Sequence, residues 1–116
     1  MILATPRWPL KWIDHPLLDQ YVAVSVEYAE QNPAGLPEPA TLERLRAYED
    51  ELVAAVGEEA LLAVVETSAG TRTFHLYADS ATPIASERAR SWASRTPGAH
   101  AEVSLDPGWR AVRRFS

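Results

Sequence analysis

The sequence contains no cysteine. That excludes a disulfide framework, a thiol nucleophile, Cys-ligated zinc and iron–sulfur clusters, and it fits a reducing, cytoplasmic setting. Lysine is nearly missing as well: apart from Lys11, every basic side chain besides histidine is an arginine. With a net charge of −5, the chain lacks the clustered cations that a sequence-independent grip on nucleic acid uses to release counterions. No apolar run approaches the roughly 20 residues of a membrane-spanning helix. The opening Met1-Ile2-Leu3-Ala4-Thr5-Pro6-Arg7 has no basic leader and meets Pro6 and Arg7 early, so no signal peptide is expected. Gly35, Gly57, Gly70, Gly98 and Gly108 are isolated turn glycines, not a phosphate-binding loop, and no Gly-x-Ser-x-Gly elbow presents a nucleophilic serine.

What is present reads as one domain preceded by an arm. A chain of 116 residues can withdraw roughly 65% of its unfolded surface from water and so build one core without staples. In residues 1–19, Pro6, Pro9 and Pro16 prevent a continuous helix or a central strand. Trp8, Trp12 and Ile13 are apolar enough to pack this arm on an edge or end of the domain, or to anchor a partner. Residues 20–116 then form a single α+β unit.

Tyr21 to Tyr28 alternate, with Val22, Val24 and Val26 on one face and Tyr21, Ala23, Ser25 and Glu27 on the other, which predicts a half-buried strand. Asn32 to Pro37 is dense in breakers and reads as a loop. Pro39 suits a first helical turn, and Leu42, Leu45, Tyr48, Leu52 and Val56 recur at steps of three and four up to Gly57, a helix-ending residue. Leu61 to Val65 is apolar on both sides, as in a strand covered on both faces. Ser68-Ala69-Gly70 turns the chain into Arg72 to Ala78, with Phe74, Leu76 and Ala78 inward and Thr73, His75 and Tyr77 outward. Thr82 and Pro83 are expected to cap and open a second helix carrying Ile84, Ala85, Ala89, Trp92 and Ala93 on one side, stopped by Thr96-Pro97-Gly98. The last strand is expected over Ala99 to Leu105, with Ala101, Val103 and Leu105 inward. Trp109, Val112 and Phe115 follow at helical spacing and predict a closing turn over the core.

The order strand, helix, strand, strand, helix, strand is the ferredoxin-like βαββαβ plan: a four-stranded antiparallel sheet with two helices packed on one face. The first and third of these strands are then central and the last lies beside the first. The other face of the sheet is expected to be open, and the strand phases place Ser25, Glu27, Thr73, His75, Tyr77, His100, Glu102 and Ser104 on it. Two imidazoles and two carboxylates there, His75, His100, Glu27 and Glu102, have the chemistry to bind a divalent metal or to act as an acid/base pair. They follow no ligand-spacing motif, and ordinary polar residues on a solvated face make the same pattern. Arg110, Arg113 and Arg114 form a small basic end, but only Tyr77 and Tyr21 are placed to stack bases, so RNA binding is not expected.

Gly35-Leu36-Pro37, Leu42-Glu43-Arg44-Leu45, Glu49-Asp50-Glu51-Leu52, then Thr67, Gly70, Arg72-Thr73-Phe74-His75-Leu76-Tyr77, Asp106-Pro107-Gly108-Trp109 and Phe115 together resemble a bacterial domain family of unknown function, DUF695, over Gln20 to Phe115. The chain departs from that pattern in a shorter region before Gln20 and in Val112, where the family has an aromatic. The resemblance implies a ferredoxin-like fold and kinship with bacterial regulators of ribonuclease E that act by binding another protein. It supplies no catalytic residues. The expected function is a non-enzymatic regulatory or protein-binding module without a cofactor, its partner another protein or a second copy held through the open sheet face. The alternative is a small-ligand or metal-binding enzyme working on that face through His75, His100, Glu27 and Glu102.

Overall fold

A computed structural model of the chain describes residues 2–6, 18–28 and 37–115. Trp8, Trp12 and Ile13 of the expected arm, and residues 32–36 of the expected loop, lie outside the described residues. The elements are β1 (Ile2–Pro6), β2 (Gln20–Glu27), α1 (Pro39–Val56), a 3₁₀ turn (Gly57–Glu59), β3 (Ala60–Ser68), β4 (Thr71–Ala78), α2 (Ile84–Ser94), β5 (Ala99–Leu105) and a 3₁₀ helix (Arg110–Phe115). The class is α+β. All strands run antiparallel to their neighbours in one sheet of order β1-β3-β4-β2-β5. The sheet has a fifth strand beyond the four expected. β1 is short and ends in Pro6, which has no N–H for a ladder on both sides, and it lies at an edge where that loss is tolerated. No helix among the described residues is long and apolar enough to cross a membrane.

The helix side of the sheet carries the larger core. Val22, Val24 and Val26 of β2 and Phe74 and Leu76 of β4 meet Leu45, Leu52 and Val56 of α1 and Ala89, Trp92 and Ala93 of α2. Each fully buried Val, Leu or Phe contributes about 1.5–3 kcal/mol relative to exposure. Tyr48 and Trp92 meet edge to face, ring centroids 5.8 Å apart, and tie the helices together. Thr82 does not cap α2. Pro83 occupies the N-cap position with its carbonyl accepting from Glu87, while Asp79 accepts the N–H of Ala81 and shapes the preceding turn.

β3 is apolar on both sides because both sides are covered. A register shift between Leu62 and Val64 lets Ala63 and Val64 face outward in succession, after which Val65 returns to the helix side and Glu66 to the outer side. Ala69 and Gly70 close the β3–β4 hairpin with φ of 46° and 87°, the left-handed pair that matches strand twist.

The outer face is not open, in contrast to the expectation. Tyr77 is fully buried and His75 nearly so, in a second cluster with Ala63, Val64, Trp109 and Val112. The segment after β5 doubles back over this face, so Trp109, Val112 and Phe115 do cover a core, but the outer one. Among the described outward residues of β2 and β5, Glu27, His100, Glu102 and Ser104 stay exposed. Leu105, expected inward, is 70% exposed at the sheet's end.

Candidate functional site

The strand ladders decide which outward residues meet. Rows run Tyr77–Tyr21–Ser104, His75–Ala23–Glu102 and Thr73–Ser25–His100 across β4, β2 and β5. His75 and Glu102 are therefore separated by the whole of β2, about 10 Å. Glu27 lies past the last β2–β5 pair, Val26 with Ala99, and is exposed opposite Thr71. His75, His100, Glu27 and Glu102 do not converge, and among the described residues no group of three or more His, Asp and Glu side chains is placed to hold a metal ion. Thr73 is half-buried, its hydroxyl 3.4 Å from that of Ser25.

His75 finds other partners. Its Nε2 lies 2.9 Å from Oε1 of Glu66 and its Nδ1 2.6 Å from the Tyr21 hydroxyl. A carboxylate only accepts, so Nε2 carries the proton and donates to Glu66, leaving Nδ1 to accept from Tyr21. Burial pushes the His75 pKa down and outweighs the opposing pull of Glu66, so the ring is neutral at physiological pH. Burial, reinforced by Glu66, pushes the Tyr21 phenol up to about 12. Glu66 Oε1 also accepts from Arg114 at 2.9 Å. Phe115 packs on His75 with centroids 5.5 Å apart, and the Arg114 guanidinium sits 4.4 Å from the Phe115 ring.

A second set of bonds pins the covering segment. Tyr77, its phenol pushed well up by burial and by Asp106, donates to Asp106 Oδ2 at 2.7 Å. The Asp106 carboxylate accepts the N–H groups of Arg110 and Ala111, each at 2.9 Å, and so caps the 3₁₀ helix. Trp109 stacks on Tyr77 at 4.2 Å and donates from Nε1 to the Leu18 carbonyl at 2.7 Å. Those contacts hold Trp109 at φ 53°, a backbone conformation that costs a bulky residue about 1–3 kcal/mol.

These groups hold neutral phenols and a neutral imidazole under a lid, and none is an accessible nucleophile or base poised near pH 7. Their chemistry is that of a satisfied buried network that fixes the lid. Glu66 was not among the residues singled out from sequence, Asp106 entered only as part of a turn motif, and Arg114 only as part of a basic end. Strict alternation from Leu61 puts Glu66 on the helix side, and only the shift at Ala63 brings it outward.

The other candidate is the β5 edge. The Asp106 N–H donates to the Asp19 carbonyl at 2.7 Å, and the Glu27 N–H to the Gly98 carbonyl at 3.0 Å. These two bonds fix the parity of the ladder: even-numbered residues of β5 turn their backbone groups toward β2 and odd-numbered ones turn theirs away. The Ala99 N–H is taken by Thr96 at 3.1 Å. Ala101, Val103 and Leu105 thus direct N–H and C=O to the open edge, since β5 pairs only with β2 among the described strands.

A family model described as a family of unknown function, DUF695, matches residues 7–115, reaching back beyond the Gln20 boundary read from the sequence. No curated protein and no solved structure matches the chain. With nearly its whole length matched, the chain belongs to the DUF695 family of unknown function.

Proposed function

We propose that the chain is a non-enzymatic regulatory module that binds protein through the β5 edge, taking an extended segment as an added strand. The observation that carries this reading is the open row of backbone groups at Ala101, Val103 and Leu105, ending in a leucine that is 70% exposed. β5 holds no proline, lysine or bulge, and Glu102 is the one acidic side chain along it, so few of the usual means of blunting an edge are present. The exposed His100, Glu102 and Ser104 beside it supply polar side chains for specificity. The interaction surface is thus the edge and its rim, and not the face as a whole. The βαββαβ series with order β3-β4-β2-β5 is read as a ferredoxin-like plan with β1 added outside β3. A cysteine-free acidic chain of this family suits a bacterial cytoplasm.

The test is capture from lysate of the source organism by immobilised wild type and by a Leu105→Lys variant. A partner retained by the wild type and lost by the variant is expected. Equal capture by both, or none by either, removes the support for this reading.

A further inference from the structure

We propose that the strand this edge fits is β5 of a second copy, paired antiparallel about a two-fold axis at Val103. This rests on the binding reading above and names the partner. A two-fold pairing of identical strands allows few registers, and the side chains distinguish them. Centring on Glu102 sets Glu102 against itself. Centring on Ser104 sets Glu102 against Asp106. Directly opposed like charges destabilise a strand pair. Centring on Ala101 pairs Val103 with Ala99, whose N–H is already bonded to Thr96, and leaves Leu105 beyond the paired strands. Centring on Val103 pairs Ala101 with the partner copy's Leu105 and Val103 with itself. Every outward backbone group of the three residues is then bonded. Glu102 stands opposite Ser104, a carboxylate acceptor facing a hydroxyl donor, and Leu105 gains the partner's Ala101 on the helix side of the joined sheet.

Charge separates self-pairing from capture of a basic protein. Two chains of net charge −5 repel, so a dimer held by backbone bonds and Leu105 tightens or stays unchanged as salt rises. A complex with a basic partner weakens.

The experiment is sedimentation equilibrium on the full chain at low and high salt. The expected wild-type mass is twice the 12.8 kDa of one chain. Ser104→Glu places a new glutamate opposite Glu102 of the other copy and is expected to weaken association at least about tenfold. Adding Glu102→Lys to Ser104→Glu sets opposite charges face to face in this register and is expected to restore the dimer. Both positions are exposed, and circular dichroism checks that the fold is retained. A wild type that stays monomeric to about 100 µM overturns the proposal. So does a dimer indifferent to Ser104→Glu, or a double variant that is not rescued. A monomer that still captures a partner lost on Leu105→Lys overturns self-pairing alone. A monomer without such capture overturns the binding reading too.

Discussion

Replacing Tyr77 by phenylalanine tests whether the outer face is closed by the Tyr77–Asp106 bond. Tyr77 is fully buried, and its hydroxyl donates at 2.7 Å to Asp106. Burial alone raises the Asp106 pKa, but the N–H of Ala111, the Tyr77 hydroxyl and the N–H of Arg110 outweigh it and hold the carboxyl below 3.8. The acceptor is therefore ionised at neutral pH, and a hydrogen bond to a charged group is worth about 1.5–3 kcal/mol net. Tyr77→Phe keeps the ring and its stack on Trp109, strands no donor, and leaves Asp106 Oδ2 bonded to Ala111. The loss should thus be about 2 kcal/mol, a fall in Tm of about 6–12 °C for a chain of this size. Urea and thermal unfolding of wild type, Tyr77→Phe, Asp106→Asn and the double variant form a cycle. The expected coupling is about 1–2 kcal/mol at pH 7. Because the folded pKa of Asp106 is depressed, this stabilisation is present above pH 3.8 and fades as pH falls through the folded value. A Tm within about 2 °C of wild type, or a coupling near zero, would refute the reasoning.

Other perturbations probe other links. Since burial depresses the His75 pKa below 6.5, the unfolded chain binds a proton that the folded chain does not just below that pH. Stability should therefore fall on acidification from pH 6.5, with a slope from this group of at most about 1.4 kcal/mol per pH unit, and His75→Gln should flatten the profile of urea-unfolding free energies. Ala69→Asn should raise stability by about 0.5–1 kcal/mol, because asparagine tolerates the φ of 46° better than alanine; a lower Tm would count against the turn assignment. Gly98 sits at φ 77° with a Cβ position 3.4 Å from the Glu27 carbonyl, so Gly98→Ala should cost about 1–2 kcal/mol in urea unfolding. Leu52→Ala, at a fully buried site of α1, should cost about 3 kcal/mol by the same assay.

Periodicity made much of the architecture legible. The stripe from Leu42 to Val56 and the flanking Pro39 and Gly57 mark α1 at its observed bounds, and the alternation in β2, β4 and β5 separates the valines, Phe74, Leu76, Ala101 and Val103 of the helix side from Tyr21 and Tyr77 of the outer side, Leu105 at the sheet's end being the exception. What alternation does not carry is which face a distant segment covers. Trp109, Val112 and Phe115 announce a buried stripe, but the choice between the helix side and the outer side is made by Tyr77, Asp106 and the Leu18 carbonyl, far apart in sequence. The expected His75 and Glu102 site failed for a lateral reason: both point outward, yet β2 stands between them. Glu66 was hidden by one extra residue in β3, since a shift of one reverses every side chain after it. β1 was hidden by its shortness and by Pro6.

The order in which the strands lie has a kinetic consequence. Among the described strands, β3 and β4 are the neighbours that are also adjacent in the chain, joined by Ala69 and Gly70. Every other ladder joins distant segments: Ile2 with Ser68, Gln20 with Ala78, Gln20 with Leu105. The hairpin can close in microseconds, but the rest must wait for the ends of long loops to meet, which places folding in the milliseconds-to-seconds range. During that wait the hairpin offers bare rims on both sides. β5 reaches the hairpin only through β2, and in the finished sheet it is one of the two edge strands among those described, with β1 at the other edge.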